Sequence, residues 1–457
     1  MISYAEALQK VQKEAMSRQL LFETIALEEL IGRVTAQDLI SSEAIPAFDN
    51  SSMDGFAILS SSSRGASPEQ PFSFKVIGSI AAGDPFLSDL PPLNTQAPQK
   101  QRTTLEIMTG APIPPGTDAV IKIEDAQVVR KHSDEALEIL ITKEARPQEN
   151  IRFQGEDFQV GQIILPAHSQ ISPENLLALA ALGKDRIQVF RRPKVVIIST
   201  GKELVHHSKA ELSPGMIRNS TAPYLYAKLT ETGNDPVLYH LIYDDPLEFE
   251  ALLDRLIKEE VPDLIITTGA VSMGKHDFIK TVLEKLNAQV HFHRVAIKPG
   301  KPILFAKLVT KKSNYKPALL GIPGNPVSTA VGYRFFVEPY LRALKRQKPE
   351  TPLIAKLGNN SYEKPLHLRC FYKAQLQLTP TGIEIYLLSG QESFKVSPFL
   401  HTQAWAVLPE GKEFFTKGDE LEVYPLQPEK LLLSPSLYSQ PHLHSKTYSH
   451  SRNECCR

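Results

Sequence analysis

The chain has 457 residues, of which 42% are hydrophobic and 22% are charged. This length exceeds what one hydrophobic core usually holds, so we expect three or four domains of roughly 100–200 residues each. Lys and Arg together number 51, as do Asp and Glu, so a balanced charge gives no global reason to bind nucleic acid or a membrane surface. Any anion site must therefore be a local concentration of cations.

The three cysteines, Cys370, Cys455 and Cys456, are too few and too poorly spaced for a disulfide framework. This usage indicates a reducing compartment. The N-terminal residues lack the basic and apolar segments of a signal peptide, and no run of about 18 apolar residues is present. We therefore expect a cytoplasmic protein without membrane spans.

The first part of the chain predicts helices and then a small β domain. Apolar residues recur at intervals of about three or four residues over 1–40, with a second such pattern over 24–39. Residues 41–55 are rich in turn formers. From 56 to 145, short β-rich runs alternate with Pro and Gly turns, which is typical of an all-β unit.

After Pro193 the pattern becomes strand, helix, strand. Continuous apolar runs at 194–201 and 263–269 each end in Thr-Gly, which predicts strands of a parallel-type sheet covered on both faces. Ligands bind beyond the carboxyl ends of such strands, where both Thr-Gly pairs lie. Helices are expected at 172–183, 221–233, 246–260, 275–287 and 326–345.

These patterns predict a multidomain α/β and β protein. Its parts are a discontinuous helical and linking domain over 1–45 and 146–185, an inserted small β domain over 46–145, a central α/β domain over 186–345 and a C-terminal β-barrel-like domain over 346–427. The tail, 428–457, is rich in Ser, His and Pro and is expected to be disordered.

Three segments of the first half carry candidate chemistry. The FDNSSMDGFA segment presents Asp54 on a loop, the MTGAP segment presents Thr109 before a stiff Pro-rich turn, and the NIRFQGED segment brings Arg152 and Asp157 to a Gly turn. Each also has an ordinary explanation as turn chemistry, a hairpin turn or a surface ion pair.

The α/β region carries a second candidate set. Thr-Gly after a strand and before a helix is a good phosphate cradle, and carboxylates beside it suit Mg²⁺. The residues in this set are Thr200, Gly201, Glu203, Asp244, Thr268, Gly269, Ser272 and Asp277.

Cations and a helix start follow downstream. Arg294, Lys298 and Lys301 surround a Pro-Gly turn, as a site for a dianion needs. The GIPGNPVS segment then places polar groups near the positive end of a helix; its candidate residues are Pro323, Asn325 and Pro326.

In order, the segments FDNSSMDGFA, IMTGAPIPPGTDAV, NIRFQGED, AIKPGKP and GIPGNPVS resemble the molybdopterin molybdenumtransferase family over residues 1–425. The resemblance implies that adenylylated molybdopterin and molybdate are converted into molybdenum cofactor and AMP with the help of Mg²⁺. It makes the α/β region a molybdopterin-binding domain. It also implies a homodimer whose active site lies between the α/β domain of one subunit and the N-terminal half of the other.

The resemblance also implies roles for the candidate residues. The catalytic residues are Asp54, Thr109, Glu203, Lys298 and Lys301. The substrate-binding residues are Arg152, Asp157, Thr200, Gly201, Thr268, Gly269, Ser272, Arg294, Pro323, Asn325 and Pro326. The metal ligands are Glu203, Asp244 and Asp277. Ala270 departs from the family pattern, which commonly has a second glycine there.

Two other functions remain open. A molybdopterin adenylyltransferase uses a similar α/β domain but does not need the segments around Asp54 and Thr109. A non-catalytic scaffold or molybdopterin-binding homologue would keep the fold without the chemistry. An adenylyltransferase is also a candidate partner, since it would supply the adenylylated substrate.

Overall fold

The computed structural model describes residues 1–84, 93, 102–129, 137–241, 245–269, 278–308, 316–359, 361–380 and 382–426. The chain forms two compact units. The inserted unit is Phe22–Phe190, and the main unit is Met1–Leu21 together with the described residues from Arg191 onward. Helix α1 (Tyr4–Met16) opens the main unit, and the Ser3 side chain caps it by accepting from the Glu6 amide at 3.2 Å.

The inserted unit is mostly β structure. Its strands are β1 (Phe22–Ala26), β2 (Leu39–Ile40), β3 (Asn50–Ser51), β4 (Gly55–Ile58), β5 (Phe72–Ile80), β6 (Thr103–Ile107), β7 (Ala119–Lys122), β8 (Ala126–Val129), β9 (Glu138–Ile141), β10 (Ile151–Arg152), β11 (Ile163–Leu165) and β12 (Arg186–Phe190). A six-stranded sheet has the order β7-β4-β6-β5-β9-β8. Strands β1 and β12, β2 and β11, and β3 and β10 form separate antiparallel pairs.

The prediction of a helix over 24–39 is wrong. Part of this segment is strand β1, in which Ile25 lies opposite Ile187 of β12. Several of the apolar residues are buried, and Leu30 and Leu39 pack in the same cluster as Ile25, but Ile31 is 46% exposed. Backbone pairing with β12 therefore overrides the helical periodicity.

The helix expected at 172–183 is confirmed as α2 (Pro173–Ala181). Its first position is a proline, and the Asn175 side chain accepts from the Ser172 amide at 2.9 Å. Gly183 follows the helix with a φ of +63°, the left-handed conformation that ends many helices.

A six-stranded sheet forms the centre of the main unit. The strands up to this point of the chain are β13 (Lys194–Thr200), β14 (Leu204–Val205), β15 (Ile217–Arg218), β16 (Asp235–Leu241), β17 (Leu264–Thr268), β18 (Gln289–His293), β19 (Ile297–Lys298), β20 (Leu304–Lys307) and β21 (Ala318–Ile322). The sheet has the order β16-β13-β17-β21-β20-β18. Its first four strands are parallel, whereas β20 is antiparallel to both neighbours, so the sheet is mixed rather than parallel throughout. The connections on both sides of β20 are too short for a crossover helix.

The helices expected after Pro193 are confirmed where the chain is described. They are α3 (Thr221–Glu231), α4 (Pro246–Glu259), α5 (Phe278–Lys285), α6 (Pro326–Gly332) and α7 (Glu338–Leu344), with a π-helical turn at Tyr333–Val337 joining the last two. Phe249 and Leu253 of α4 and Val282 of α5 pack on Val196 and Ile265 of the sheet. Buried apolar strands beneath amphipathic helices are what the continuous apolar runs predicted.

The C-terminal domain is a small closed barrel, as expected. Its strands are β22 (Leu353–Leu357), β23 (Ser361–Glu363), β24 (Arg369–Thr379), β25 (Gly382–Leu387), β26 (Ala404–Leu408), β27 (Phe414–Thr416) and β28 (Glu420–Pro425). The ring β24-β25-β22-β28-β26 closes because β26 also pairs with β24. Within the described ranges, no helix is both long and apolar enough to cross a membrane.

Candidate active site

The inserted unit brings its three candidate segments together. Strand β3 of the first segment pairs with β10 of the third, so that Asn50 lies opposite Arg152. The second segment joins through the backbone: the Gly110 amide donates to the Ser51 carbonyl at 2.8 Å, and the Ser51 amide donates to the Ala111 carbonyl at 3.0 Å. Segments far apart in sequence thus form one turn-rich surface.

Asp54 is held by Thr109 on this surface. One carboxylate oxygen of Asp54 accepts from the Thr109 amide at 2.7 Å and from its hydroxyl at 2.9 Å. These bonds, first the amide and then the hydroxyl, lower the pKa of the exposed Asp54 carboxyl. The arrangement keeps an ionised, oriented carboxylate at the surface.

Gly55, the residue after Asp54, is required for a steric reason. A Cβ atom at Gly55 would lie 1.9 Å from the Ile121 carbonyl oxygen of the neighbouring strand β7. Glycine is therefore required for β4 to approach β7 here, and that approach fixes the loop carrying Asp54.

The remaining predicted residues of this unit are exposed. Arg152 and Asp157 both present their side chains to solvent, and the Asp157 amide donates to the Ile45 carbonyl at 2.9 Å. Three large apolar side chains adjoin the candidate residues in sequence and are 36–40% exposed: Met53, Met108 and Phe153. The motif reading missed this apolar surface because it considered charge and turn chemistry alone.

In the main unit, the carboxyl ends of β13, β17 and β21 meet. The Thr200 hydroxyl donates to the Thr268 carbonyl at 3.1 Å, and the Gly269 amide donates to the Ile322 carbonyl at 3.2 Å. Gly269 has a φ of +93°, and a Cβ atom there would lie 2.8 Å from the Thr200 carbonyl oxygen and hydroxyl oxygen. Both the conformation and the contact require glycine.

Glu203 lies beside this edge. Its carboxylate oxygens come within 2.7 and 2.8 Å of the position that a Cβ atom at Gly201 would take, so the side chain folds back over the turn. Among the described residues, no group of three or more His, Cys, Asp or Glu side chains is placed to hold a metal ion. The other candidates of this set, Asp244, Ser272 and Asp277, lie outside the described residues, as does Ala270, where the sequence departs from the family pattern.

Two of the predicted cations line a cavity of about 630 Å³. Lys298 and Lys301 stand on one wall, where Gly300 turns with a φ of +101°. Arg294 is half-buried and is not among the residues that line the cavity. The structure therefore brings two of the three expected cations to this cavity.

The other walls come from the start of α6 and from the barrel. Ser328 lies on one side and the barrel loop 388–393 on the other. The loop is joined to the start of α6, since the Val327 amide donates to the Ser393 carbonyl at 3.0 Å and the Asn325 amide group donates to the Ser393 hydroxyl at 3.2 Å. Sequence reasoning missed this wall because the loop carries no recognisable motif.

The GIPGNPVS segment connects this cavity with the strand ends. The Thr329 hydroxyl donates to the Pro323 carbonyl at 2.7 Å, and Pro326 occupies the first turn of α6. A Cβ atom at Gly324 would lie 3.6 Å from the Gly269 backbone. The strand-end turns and the lysine cavity are thus consecutive parts of one edge of the main unit.

Comparisons with known proteins agree with this arrangement. Residues 2–183 match the model of the MoeA N-terminal region (domain I and II), and residues 196–343 match that of a probable molybdopterin binding domain. The molybdopterin molybdenumtransferase of Synechococcus elongatus is 36% identical over 92% of this chain and 99% of its own length. The chain belongs to the molybdopterin molybdenumtransferase family.

Other relatives support the same family. The molybdopterin molybdenumtransferase of Haemophilus influenzae is 32% identical over 90% of this chain and 97% of its own length. The crystal structure of the molybdopterin biosynthesis MoeA protein from Pyrococcus horikosii matches with a TM-score of 0.72 and 28% identity, covering 92% of this chain and 98% of that one. The family resemblance read from the motifs is therefore confirmed.

Replacing Thr109 with Val tests how the Asp54 charge is held. The substitution removes the hydroxyl donor at 2.9 Å but leaves the amide donor. The pKa of Asp54 should therefore rise toward its ordinary value without reaching it, so that the carboxylate becomes protonated at higher pH. NMR titration of ¹³C-carboxyl-labelled aspartates, assigned with Asp54→Asn, measures this.

Thr117→Val is the matched control. Thr117 belongs to the same segment, but its hydroxyl donates to the Pro114 carbonyl at 2.7 Å instead of to Asp54. An Asp54 pKa that moves equally in both variants, or in neither, contradicts the assignment.

Proposed function

We propose that this chain inserts molybdate into adenylylated molybdopterin, giving molybdenum cofactor and AMP. The observation that carries the proposal is the cavity at Lys298 and Lys301, set beside the strand ends of a domain that matches a probable molybdopterin binding domain. The names of the relatives supply molybdopterin and molybdenum, and the family resemblance of the motifs implies the adenylyl group and AMP.

The cavity suits a tetrahedral dianion. Lys298 and Lys301 supply two positive charges, and the Ser328 hydroxyl supplies a neutral hydrogen-bonding group on another wall. Glu392 also lines the cavity, but its carboxylate is paired with Lys395 at 2.8 Å, which offsets its repulsion of an anion. The net field inside the cavity therefore favours negative charge.

Its size leaves space for more than one anion. A water molecule occupies about 30 Å³ of the liquid, so 630 Å³ accommodates an oxyanion and the charged end of a larger substrate. In the proposed reaction, a molybdate oxygen attacks the adenylyl phosphorus, the phosphoanhydride bond breaks and molybdopterin phosphate is the leaving group. The two dithiolene sulfurs of molybdopterin then bond to molybdenum, displacing AMP, which keeps that molybdate oxygen, and a second oxygen as water. The two lysines stabilise the charge that collects around this step.

We assign Asp54 a positioning role toward bound metal or substrate. Both hydrogen bonds from Thr109 go to the same carboxylate oxygen of Asp54, so they fix the orientation of the carboxylate without occupying its second oxygen. The exposed apolar groups Met53, Met108 and Phe153 adjoin the same segments and suit the flat face of a pterin.

Mg²⁺ is proposed as the cofactor. The Glu203 carboxylate is an oxygen ligand of the kind Mg²⁺ prefers, and it lies at the strand edge where phosphates bind. Asp244 and Asp277, which the resemblance adds to this set, lie outside the described residues. When bound, the ion supplies positive charge that offsets the phosphoanhydride. Glu203 would hold it next to the Gly201 turn.

AMP release from adenylylated molybdopterin, with and without molybdate, tests the reaction. We expect molybdate-dependent release by the wild-type chain and its loss, by about 100-fold or more, in Asp54→Ala, because the oriented carboxylate is removed. Chromatographic measurement of AMP and of molybdenum cofactor gives both products.

Two other outcomes of this experiment would favour the alternative functions. Formation of adenylylated molybdopterin from molybdopterin and ATP would identify an adenylyltransferase. Tight binding of substrate without turnover, in wild type and variant alike, would identify a scaffold or a binding homologue.

Glu203→Gln tests the metal assignment. Loss of a charged ligand should raise the Mg²⁺ concentration needed for half-maximal AMP release by about tenfold or more, and saturating Mg²⁺ should restore much of the rate. Glu211→Gln is the control, since Glu211 is an exposed carboxylate of the same unit. A Mg²⁺ requirement that is unchanged in Glu203→Gln would remove Glu203 from the metal site.

We also propose a homodimer with shared active sites, as the resemblance implies. Coexpressing differently tagged Asp54→Ala and Glu203→Ala chains distinguishes the arrangements. If Asp54 and Glu203 of one site come from different chains, about one quarter of the sites in the mixture are intact and activity returns. If both come from one chain, every site carries a substitution and the mixture stays inactive.

The proposed substrate implies a partner enzyme. An enzyme that adenylylates molybdopterin must supply the substrate, which makes a molybdopterin adenylyltransferase the expected partner. The low cysteine usage and the buried, unpaired thiol of Cys370 suit a reducing, cytoplasmic setting. Purifying the tagged chain from cytosol and testing for a co-purifying adenylyltransferase activity checks both points.

A further inference from the structure

The barrel contains a fully buried lysine next to the cavity. Lys373 lies on β24, and its ammonium group has no solvent exposure. It donates to the Gly390 carbonyl at 2.7 Å and to the Lys395 carbonyl at 3.2 Å. The Phe399 ring lies beneath it, with the nitrogen 5.4 Å from the ring centroid. These contacts are to neutral groups.

The two carbonyl groups lie within and just after the loop that lines the cavity. Residues 388–393 form the barrel wall opposite Lys298 and Lys301, and the bonds from Lys373 hold the chain at Gly390, inside this loop, and at Lys395, two residues beyond it. A loop that is fixed at several points loses much of its freedom before a ligand arrives. Lys373 therefore helps to fix the position of the barrel wall of the cavity.

The backbone of the same residue holds the centre of the loop. The Lys373 amide donates to the Gln391 side-chain oxygen at 3.0 Å, and the Gln391 side-chain nitrogen donates to the Lys373 carbonyl at 2.8 Å. Gln391 also donates to the Leu388 carbonyl at 2.8 Å. One residue thus holds two points of the loop, Gly390 and Gln391, and a third point just after it, Lys395.

Strand β24 supports the other wall as well. Cys370 lies opposite Lys298 in the parallel pairing of β19 with β24. Tyr372, between Cys370 and Lys373 on this strand, lines the cavity itself. The strand therefore sets the spacing between the lysine loop and the barrel loop.

A buried lysine is not what barrel stability alone requires. Burial lowers the pKa of the Lys373 ammonium, which is the sign of an unfavourable environment for its charge. Replacing buried charged groups with well-packed apolar residues is often neutral or stabilising. An apolar residue would fill the barrel equally well, but it would leave the Gly390 and Lys395 carbonyls without their donor.

We propose that Lys373 is a positioning residue that holds the barrel loop 388–393 in place to form the molybdate-binding wall of the cavity. The inference rests on the proposed function of this cavity. It assigns the barrel a part in oxyanion affinity, through the hydrogen bonds that Lys373 donates to Gly390 and Lys395. Lys373 itself does not line the cavity.

Lys373→Met keeps the unbranched apolar stem of the side chain, shorter by one atom, and removes its hydrogen-bond donors. Calorimetric titration of the full chain with sodium molybdate should show a dissociation constant raised by about tenfold or more, as expected when hydrogen bonds to a charged group are lost from a preorganised site. The KM for molybdate should rise in parallel, whereas kcat at saturating molybdate should change by less than about twofold.

Lys364→Met is the matched control. Lys364 is also a buried lysine of the C-terminal domain and also donates to backbone carbonyls, those of Pro365 and Leu368, but it does not line the cavity or hold its loop. Its removal should leave molybdate affinity unchanged. Equal weakening in both variants would mean that a general loss of barrel stability is responsible and would overturn the proposal, as would wild-type affinity in folded Lys373→Met.

Lys301→Gln separates this inference from the function it rests on. If the wild-type chain does not bind molybdate, the assignment of the cavity fails whatever Lys373 does. If wild type binds, and Lys301→Gln weakens binding while Lys373→Met does not, the cavity assignment stands and the inference about Lys373 fails.

Gly390→Ala gives a second variant should Lys373→Met not fold. Gly390 has a φ of +75°, and an added Cβ atom would lie 3.1 Å from Pro398 Cγ and 3.3 Å from Lys395 Cδ. The substitution strains the turn that Lys373 holds without changing the barrel core. The same rise in the molybdate dissociation constant is expected, and wild-type affinity in folded Gly390→Ala would count against the proposal.

Discussion

The close approach of three turns at the carboxyl edge of the main sheet is the constraint on which the site depends. Gly269 has backbone angles and neighbours that leave no space for a side chain, since a Cβ atom would lie 2.8 Å from Thr200. A Cβ atom at Gly324, in the turn after β21, would lie 3.6 Å from the Gly269 backbone, which is van der Waals contact. Because the turns are packed this tightly, the edge has room for backbone groups but not for a side chain at Gly269, as the proposed phosphate site requires. The start of α6 and the lysine loop then take their positions from this edge.

Charge is organised locally in a chain whose overall balance is zero. Lys298 and Lys301 stand at the cavity, while the candidate carboxylates Asp54 and Glu203 stand at other points of the chain. The acidic group that does line the cavity, Glu392, has its own lysine partner. Within the main unit, Glu203 is not among the residues that line this cavity, so this candidate carboxylate and the two lysines occupy different parts of that unit.

Local sequence patterns predicted much of the fold. The elements that they did not predict depend on pairing between parts of the chain that are distant in sequence. The apolar runs ending at Thr200 and Thr268 predicted the strand ends, because a buried parallel strand needs apolar residues on both faces. The segment 24–39 has helical spacing, yet its first residues form a strand because β12 pairs with them. The direction of β20 depends on which neighbour it meets, which periodicity does not encode. The motifs located the turns around Asp54 and Lys301 because steric and charge requirements there are local.

Sequence motifs did not predict the wall of the cavity that the barrel forms. Residues 388–393 look like an ordinary loop, and Lys373 looks like an exposed strand residue, until β24 places both beside the lysine loop. Cys370 pairs with Lys298 on one side, and three residues later Lys373 holds the opposite wall. The width of the cavity is therefore a property of one strand of the barrel, whereas its charge is a property of the α/β domain. Affinity for an oxyanion requires both, because cations at the wrong spacing are solvated by water instead of by the ligand.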